Sequence, residues 1–327
     1  MEHNYCPVLV TGANGFLGFS LVAAFAERSK TVYAGVRDKS KKSVFKAISG
    51  VEAVVIGSID QASDLQTYLS RKSVVVHCAA RVHVMSETAD DPLTEFRAVN
   101  VDGTLNLARQ AAKAGVKRFV FVSSIKVNGE QTDDRPPFTP DDVPAPEDPY
   151  GMSKNEAETG LRKIAAETGM EVVIIRPPLV YGPGVKGNFR SLLKLASLPV
   201  PLPLGGINNR RSLVYLGNLV DFIIHAAVHP AAANQTFLVS DGHDLSTTEL
   251  LSQMRNAMGR SRWLLPIPGQ WLWGAAKLVG KGDIGQRLCG SLQLGISRNA
   301  TLLDWRPPYT VEQGLKKTVA DLPLKPQ

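Results

Sequence analysis

Six short apolar, β-branched runs alternate with helical stretches through the first half of the chain: Val8–Val10, Thr31–Val36, Val54–Ile56, Val74–His77, Arg118–Val122 and Glu171–Ile175. The stretches Leu17–Ser29, Phe96–Ala114 and Ser153–Thr168 between them read as helices, the second ended by Gly115 as a left-handed C-terminal glycine. Strands that alternate with helices join one sheet in parallel through right-handed crossovers, so this order predicts an α/β fold with a doubly wound parallel sheet. The chain has 327 residues and 44% hydrophobic content, enough for one large α/β domain carrying a smaller one.

The first strand runs into Thr11-Gly12-Ala13-Asn14-Gly15-Phe16-Leu17-Gly18, which opens the first helix. At a first strand-to-helix junction, Gly12 permits a tight turn, Gly15 lets backbone approach a diphosphate and Gly18 lets helix and strand pack closely, while the helix N-terminus favours an anion. The spacing is GxxGxxG, and it predicts a Rossmann-type dinucleotide site in which Asn14, Phe16 and Leu17 also face the cofactor. The end of the second strand selects between NAD and NADP, because an acid there bonds the ribose 2′-hydroxyl and repels a 2′-phosphate. Here it reads Arg37-Asp38, followed by Lys39, Lys41 and Lys42. A guanidinium at Arg37 suits adenine stacking and a 2′-phosphate, so NADP(H) is the expected cofactor. The alternative is NAD(H), with Asp38 on the ribose and a solvated basic loop.

After Arg176-Pro177-Pro178 the texture changes to Tyr181-Gly182-Pro183-Gly184 and a proline-rich stretch at Pro199–Pro203, then returns to strand-like text at Ser212–Leu216 and Thr236–Val239. The expected division is a dinucleotide-binding domain of residues 1–178 plus about 211–243, and a discontinuous substrate domain of about 179–210 plus 244–327.

Cys6, Cys78 and Cys289 are too few and too scattered for a disulfide framework or a metal site, and the start of the chain has no secretory pattern, so a cytoplasmic setting is expected. The formal charge of +7 suits an anionic ligand, but the basic residues are dispersed and no nucleic-acid partner is expected. Trp263 through Val279, with Trp271 and Trp273, is broken by Pro266 and Pro268 and falls short of the ~20 residues that span a bilayer. It reads as a core or domain-closing helix, with membrane-surface contact as the alternative.

Tyr150 and Lys154 stand four apart in Tyr150-Gly151-Met152-Ser153-Lys154, a spacing that puts both on one helix face. An ammonium beside a phenol stabilises the phenolate and brings its pKa down from ~10 toward the working range. Phe119-Val120-Phe121-Val122-Ser123-Ser124 ends a strand in two hydroxyls at the edge where such sheets bind ligands, so Ser124 is a candidate to bond the reacting oxygen, with Ser123 as its neighbour.

With these residues in this order, the chain resembles the extended short-chain dehydrogenase/reductases of the NDP-sugar epimerase/dehydratase group. The resemblance also rests on His77-Cys78-Ala79-Ala80, Asn100-Val101-Asp102-Gly103-Thr104, Arg176 through Gly184, Arg211-Ser212-Leu213-Val214-Tyr215 and Leu303-Asp304-Trp305-Arg306-Pro307. It implies that Ala79, Ala80, Arg81 and Pro177 line the cofactor, that Asn100 supports the active site, and that Ser58 and Ile59 stand where relatives carry an Asp for the adenine. It implies a UDP-sugar held by Asn188 and Arg211, with Arg287 as a second phosphate contact, and a homodimer.

The resemblance includes dehydratases with Asp-Glu after the catalytic hydroxyl and epimerases with Val-Tyr-Gly there; this chain has Ile125-Lys126-Val127-Asn128-Gly129. That text, with Val82, His83 and Lys126 toward the sugar, looks most like bacterial 4-reductases of UDP-4-keto-6-deoxy-N-acetylhexosamine in O-antigen synthesis, which form UDP-N-acetyl-quinovosamine or its fucosamine epimer. The expectation is therefore a 4-keto reductase. The alternatives are a 4-epimerase, a general carbonyl reductase, or a cofactor-binding sensor or scaffold without turnover.

Overall fold

The computed structural model describes residues 7–28, 31–70, 72–82, 91–278 and 282–322. Its strands are β1 (Val8–Thr11), β2 (Val32–Val36), β3 (Val51–Val55), β4 (Val74–His77), β5 (Arg118–Val122), β6 (Glu171–Arg176), β7 (Leu179–Tyr181), β8 (Leu213–Tyr215) and β9 (Thr236–Leu238). Seven of them form one parallel sheet in the order β3-β2-β1-β4-β5-β6-β9, and β7 and β8 pair in parallel as a separate small sheet.

The strands read as unbroken apolar runs because both faces of the sheet are covered. Alternate residues enter different cores: Val8, Val10, Val74, Val76, Val120, Val173 and Ile175 pack under the helices Phe16–Ala26 and Leu216–Val228. Leu9, Val75, Phe119, Phe121, Val172 and Ile174 pack under Thr104–Lys113 and Pro149–Thr168. A third apolar cluster draws on Tyr181, Phe189, Leu204, Leu245, Leu251, Leu264 and Leu315, from the second half of the chain.

Two expected helices differ in form. The stretch expected to be one helix over Phe96–Ala114 is a helix at Pro92–Arg97, a π turn at Ala98–Gly103 and a helix at Thr104–Lys113. Its start is set by Asp91, whose carboxylate accepts from the backbone of Leu93 and Thr94, and by Pro92 in the first turn. At the end of the π turn Gly103 lies against another loop, and a Cβ there would stand 2.4 Å from the Ile59 carbonyl oxygen. The helix expected from Ser153 begins at Pro149, because Asp148 caps it by accepting from Gly151 N at 2.7 Å. Among the described residues no helix is long and apolar enough to cross a membrane; the Trp-bearing stretch forms a helix at Gly269–Leu278.

Candidate active site

The strand order reverses between β1 and β4, and ligands of open α/β sheets bind outside the C-terminal strand ends at such a point. Gly12, directly after β1, has φ +65°, and a Cβ on it would lie 2.7 Å from Ala79 N. Only glycine lets the β1 loop rest against the β4 loop here. Gly15 begins the helix Phe16–Ala26 without a side-chain cap or an acid in the first turn, which leaves the positive helix end open to an anion. A Cβ on Gly18 would meet the Gly12 carbonyl oxygen at 2.2 Å. The cradle thus fits a dinucleotide's diphosphate. Asn14 is exposed at its rim, while Phe16 and Leu17 are half-buried and pack on the core.

The floor of the site is tied by buried polar groups. Thr11 Oγ1 lies 2.7 Å from His77 Nδ1, and His77 Nε2 lies 3.0 Å from Thr104 Oγ1. Burial, with Lys154 adding to it, pushes the His77 pKa down to about 3, so the ring is neutral and joins β1, β4 and the helix Thr104–Lys113. Asn100, in the π turn, accepts from Arg81 N at 2.8 Å and donates to Arg81 O and Ser153 Oγ, each at 3.0 Å. It therefore fixes the backbone after Ala79 and Ala80 against the helix that carries Tyr150 and Lys154. The resemblance implied a supporting role for Asn100, and its hydrogen bonds give that role a geometry; the Thr11–His77–Thr104 tie has no counterpart in the sequence reading.

At the end of β5, alternation sends the two serines apart. Ser123 points into the core and donates to Glu158 Oε1 at 2.6 Å. Glu158 pairs bidentately with Arg176 at 2.9 and 2.6 Å, and Arg176 donates to Asn128 Oδ1 at 2.8 Å. Glu158, Arg176 and Asn128 are all buried. Asn128 thus belongs to the frame beneath the site. Ser124 is half-buried in extended backbone and caps the short turn Ile125–Val127.

Lys154 is buried, donates to Val122 O at 2.9 Å and stands 5.9 Å from the centre of the Tyr150 ring. Burial lowers its pKa to about 8, against the pull of Cys78 and Glu158. Tyr150 lies half-buried with Phe96 edge-on at 6.0 Å, and its pKa is raised, first by burial and then by Asp148. The expected lowering by the ammonium is not what the site displays, because Lys154 spends its hydrogen bond on β5 and a carboxylate lies near the phenol. The Cys78 thiol is pushed up to about 12 by burial and is no nucleophile.

The remaining candidates spread outward. Arg37 is exposed at the end of β2, and the Asp38 carboxylate is engaged by Ser40 N at 3.0 Å and by the Ser40 hydroxyl. Ser58 is exposed and Ile59 buried after β3; Pro177 is buried, its carbonyl accepting from Ile125 N at 3.0 Å. Lys126 is held between Glu130 at 2.7 Å and Asp148 at 2.5 Å, which turns it into a strut for the turn rather than a free cation. Arg211 donates to Gly290 O at 2.8 Å; burial lowers its pKa, Asp133 and Glu130 oppose this, and Arg287 is close enough to add to the lowering. Arg211 and Arg287 are thereby brought together. Asn188 is exposed in the first turn of the helix Gly187–Ala196, Val82 is exposed, and His83 lies outside the described residues. A separate surface cleft of about 560 Å³ is lined by Asp241, His243, Arg262, Tyr309, Glu312 and Lys316 and contains none of the candidate catalytic side chains.

Residues 8–240 match the model of the NAD dependent epimerase/dehydratase family. The chain is 48% identical over 315 residues to a Vibrio cholerae protein named UDP-glucose 4-epimerase, covering 95% of this chain and 94% of that one. It is 29% identical over 333 residues to the Escherichia coli O157:H7 N-acetyl-alpha-D-glucosaminyl-diphospho-ditrans,octacis-undecaprenol 4-epimerase, covering 95% and 94%. Among solved structures, the Bacillus cereus UDP-glucuronic acid 4-epimerase in complex with NAD superposes with a TM-score of 0.77 at 20% identity, covering 96% of this chain and 98% of that one. The Thermotoga maritima UDP-glucose 4-epimerase with UDP-glucose gives 0.75 at 23% identity over 96% and 98%. A parallel sheet reversing at β1 and β4, a glycine cradle at that reversal and a family match from β1 to the end of β9 agree, and the chain belongs to the NAD-dependent epimerase/dehydratase family.

Proposed function

We propose that this protein is a UDP-sugar 4-epimerase using NAD. The observation that carries the reading is the 48% identity, across 95% of the chain, to a protein named for that activity. It displaces the 4-keto reductase as the preferred reading, since Ser124, Tyr150 and Lys154 serve either chemistry equally well.

Bound NAD supplies a hydride acceptor and donor for sugar C4 and a positive charge beside the phenol. The roles we assign to the chain are as follows. Gly12, Gly15 and Gly18 hold the diphosphate at the helix end, Ala79, Ala80 and Arg81 line the nicotinamide side, and Arg37, Ser58 and Ile59 stand at the adenosine end. Tyr150 Oη takes the proton of the C4 hydroxyl and returns it, the positive charge of bound NAD offsets the burial and Asp148 that disfavour its phenolate, Lys154 holds the ribose, and Ser124 bonds the same sugar oxygen. Arg211 and Arg287 take the UDP diphosphate, a job suited to paired guanidinium groups. The sugar sits under residues 179–210 and 244–327, the part of the chain that supplies most of the third apolar cluster.

One observation favours the 4-keto reductase as second reading: Arg37 is exposed at the end of β2 while the Asp38 carboxylate is occupied by Ser40, an arrangement suited to a 2′-phosphate. The two readings separate in one assay. Purified protein with UDP-glucose and NAD, without reductant, should form UDP-galactose with no net change in nicotinamide redox state. A reductase leaves UDP-glucose untouched and oxidises one reduced cofactor per 4-keto-6-deoxy sugar.

A further inference from the structure

Three of the four tryptophans stand in water: Trp263 is 60% exposed, Trp271 73% and Trp273 41%. The fourth, Trp305, is buried against Phe222. Two more large apolar side chains, Leu198 at 43% and Val200 at 51%, are exposed on the proline-rich loop before β8. These residues come from segments far apart in sequence that the fold fastens side by side. Arg255, itself buried, donates to Ser261 O at 2.6 Å and to Leu198 O at 3.0 Å, with Ala196 O and Val200 O at 3.3 and 3.4 Å. Backbone bonds continue the seam, from Leu265 N to Leu202 O and Gly205 N to Leu265 O, each at 2.8 Å, and from Gly269 N to Gly206 O at 3.3 Å. The two segments are therefore joined into a prebuilt platform from which Leu198, Val200, Trp263 and Trp271 project, and exposed apolar side chains gathered on one fold region mark interaction sites.

The segments that build the platform carry basic residues: Lys186, Arg190 and Lys194 in residues 184–209, and Arg260 and Arg262 in residues 256–274, with no Asp or Glu in either span. Arg190, Lys194 and Arg262 are exposed, and Glu312, the acid that feels Arg262, is paired with Lys316 at 2.8 Å. Tryptophans at the tips, prolines and aliphatics between them, and exposed basic side chains beside them match the chemistry of a bilayer interface whose headgroups are anionic.

We propose that this face docks the protein on the surface of an anionic lipid bilayer, lying in the headgroup region without spanning it. The helix Gly282–Cys289, which carries Arg287, follows the Trp-bearing helix directly. Docking would thus hold the substrate-binding part of the protein at the membrane. The inference does not depend on which sugar reaction the protein performs.

The test is sedimentation of the full chain with sucrose-loaded phosphatidylcholine vesicles, with and without phosphatidylglycerol, read together with tryptophan emission. The expected result is binding that requires phosphatidylglycerol, weakens with salt and shifts emission to the blue. Trp263→Ser with Trp271→Ser should weaken binding about tenfold or more, from the interfacial area the two rings cover. Lys194→Glu with Arg262→Glu should abolish the phosphatidylglycerol dependence, and both double variants should keep the wild-type melting temperature and sugar-nucleotide turnover. No binding to phosphatidylglycerol vesicles overturns the proposal, as does unchanged binding by correctly folded Trp variants. Loss of a dimer in the ultracentrifuge on Trp substitution, without vesicle binding by the wild type, overturns it in favour of a second copy of the chain.

Discussion

The floor of the nucleotide cradle and the Trp-bearing face are held by opposite means. At the floor, side chain fastens side chain: Thr11 to His77 to Thr104, Asn100 to Ser153, and Ser123 to Glu158 to Arg176 to Asn128. At the Trp-bearing face, buried Arg255 and the backbone do the holding, and the large side chains are left outward. The first arrangement suits chemistry, which needs reacting atoms fixed within fractions of an ångström. The second suits contact with a partner that has no fixed atoms of its own. Substitutions at the floor should therefore damage turnover or folding, and those at the outer face should spare both.

The largest effect is expected at Tyr150. Tyr150→Phe keeps the ring against Phe96 and removes the proton-carrying oxygen, so turnover should fall ~10²–10⁴-fold with cofactor affinity retained. Wild-type turnover in steady-state kinetics would remove the phenol from the reaction. Next is the buried pair beneath Ser123. Arg176→Met leaves buried Glu158 with only the half-exposed Arg162 at 2.9 Å as an ion partner and should cost about 3 kcal/mol in urea unfolding, the low end for breaking a buried pair. A loss below 1 kcal/mol would show that the network is not what holds the end of β5.

Arg211 lies at the border of the two regions. Arg211→Ala should weaken UDP binding by ~1.5–3 kcal/mol, the range for a hydrogen bond to a charged group, with NAD affinity unchanged. Equal losses for UDP and NAD in calorimetry would mean a general collapse rather than a missing phosphate contact. A separate prediction concerns pH. The folded His77 pKa of about 3 lies below the ordinary value of 6.5, so the unfolded chain binds the proton first. Its contribution to stability is complete above pH 6.5 and is lost as pH falls toward 3, by up to ~1.4 kcal/mol per pH unit. Comparing wild type with His77→Gln in urea titrations between pH 4 and 7 isolates that slope, and parallel pH profiles would refute it.

The sheet and the glycine cradle were legible because they depend on period and on local backbone demands. Runs such as Val74–His77 and Arg118–Val122 could only be strands covered on both faces, and Gly12 and Gly18 stand where a Cβ would collide with Ala79 and with the Gly12 carbonyl. What stayed hidden was set by contacts distant in sequence. The π turn at Ala98–Gly103 brings Gly103 against Ile59, and Asn100 finds Arg81 and Ser153, none of which leaves a periodic trace. Asn128 stands within the motif text after β5, yet its side chain faces Arg176 in the interior, a contact no local pattern reveals. The reductase expectation rests mainly on resemblance, with Arg37 as its independent physical support, and Arg37 stands exposed at the end of β2. Tyr150 was expected to have a lowered pKa from its i,i+4 lysine, but spacing alone could not reveal that Lys154 bonds Val122 or that Asp148 lies nearby.

The claim that the rigid floor serves reversible chemistry at C4 is tested most directly by following UDP-glucose with the purified protein and NAD, using proton NMR for the sugar and absorbance for the nicotinamide. An equilibrium mixture of UDP-glucose and UDP-galactose is expected, reached with no accumulation of reduced cofactor and abolished in Tyr150→Phe. Unchanged UDP-glucose, together with stoichiometric oxidation of NADPH by a UDP-4-keto-6-deoxy sugar, would contradict it.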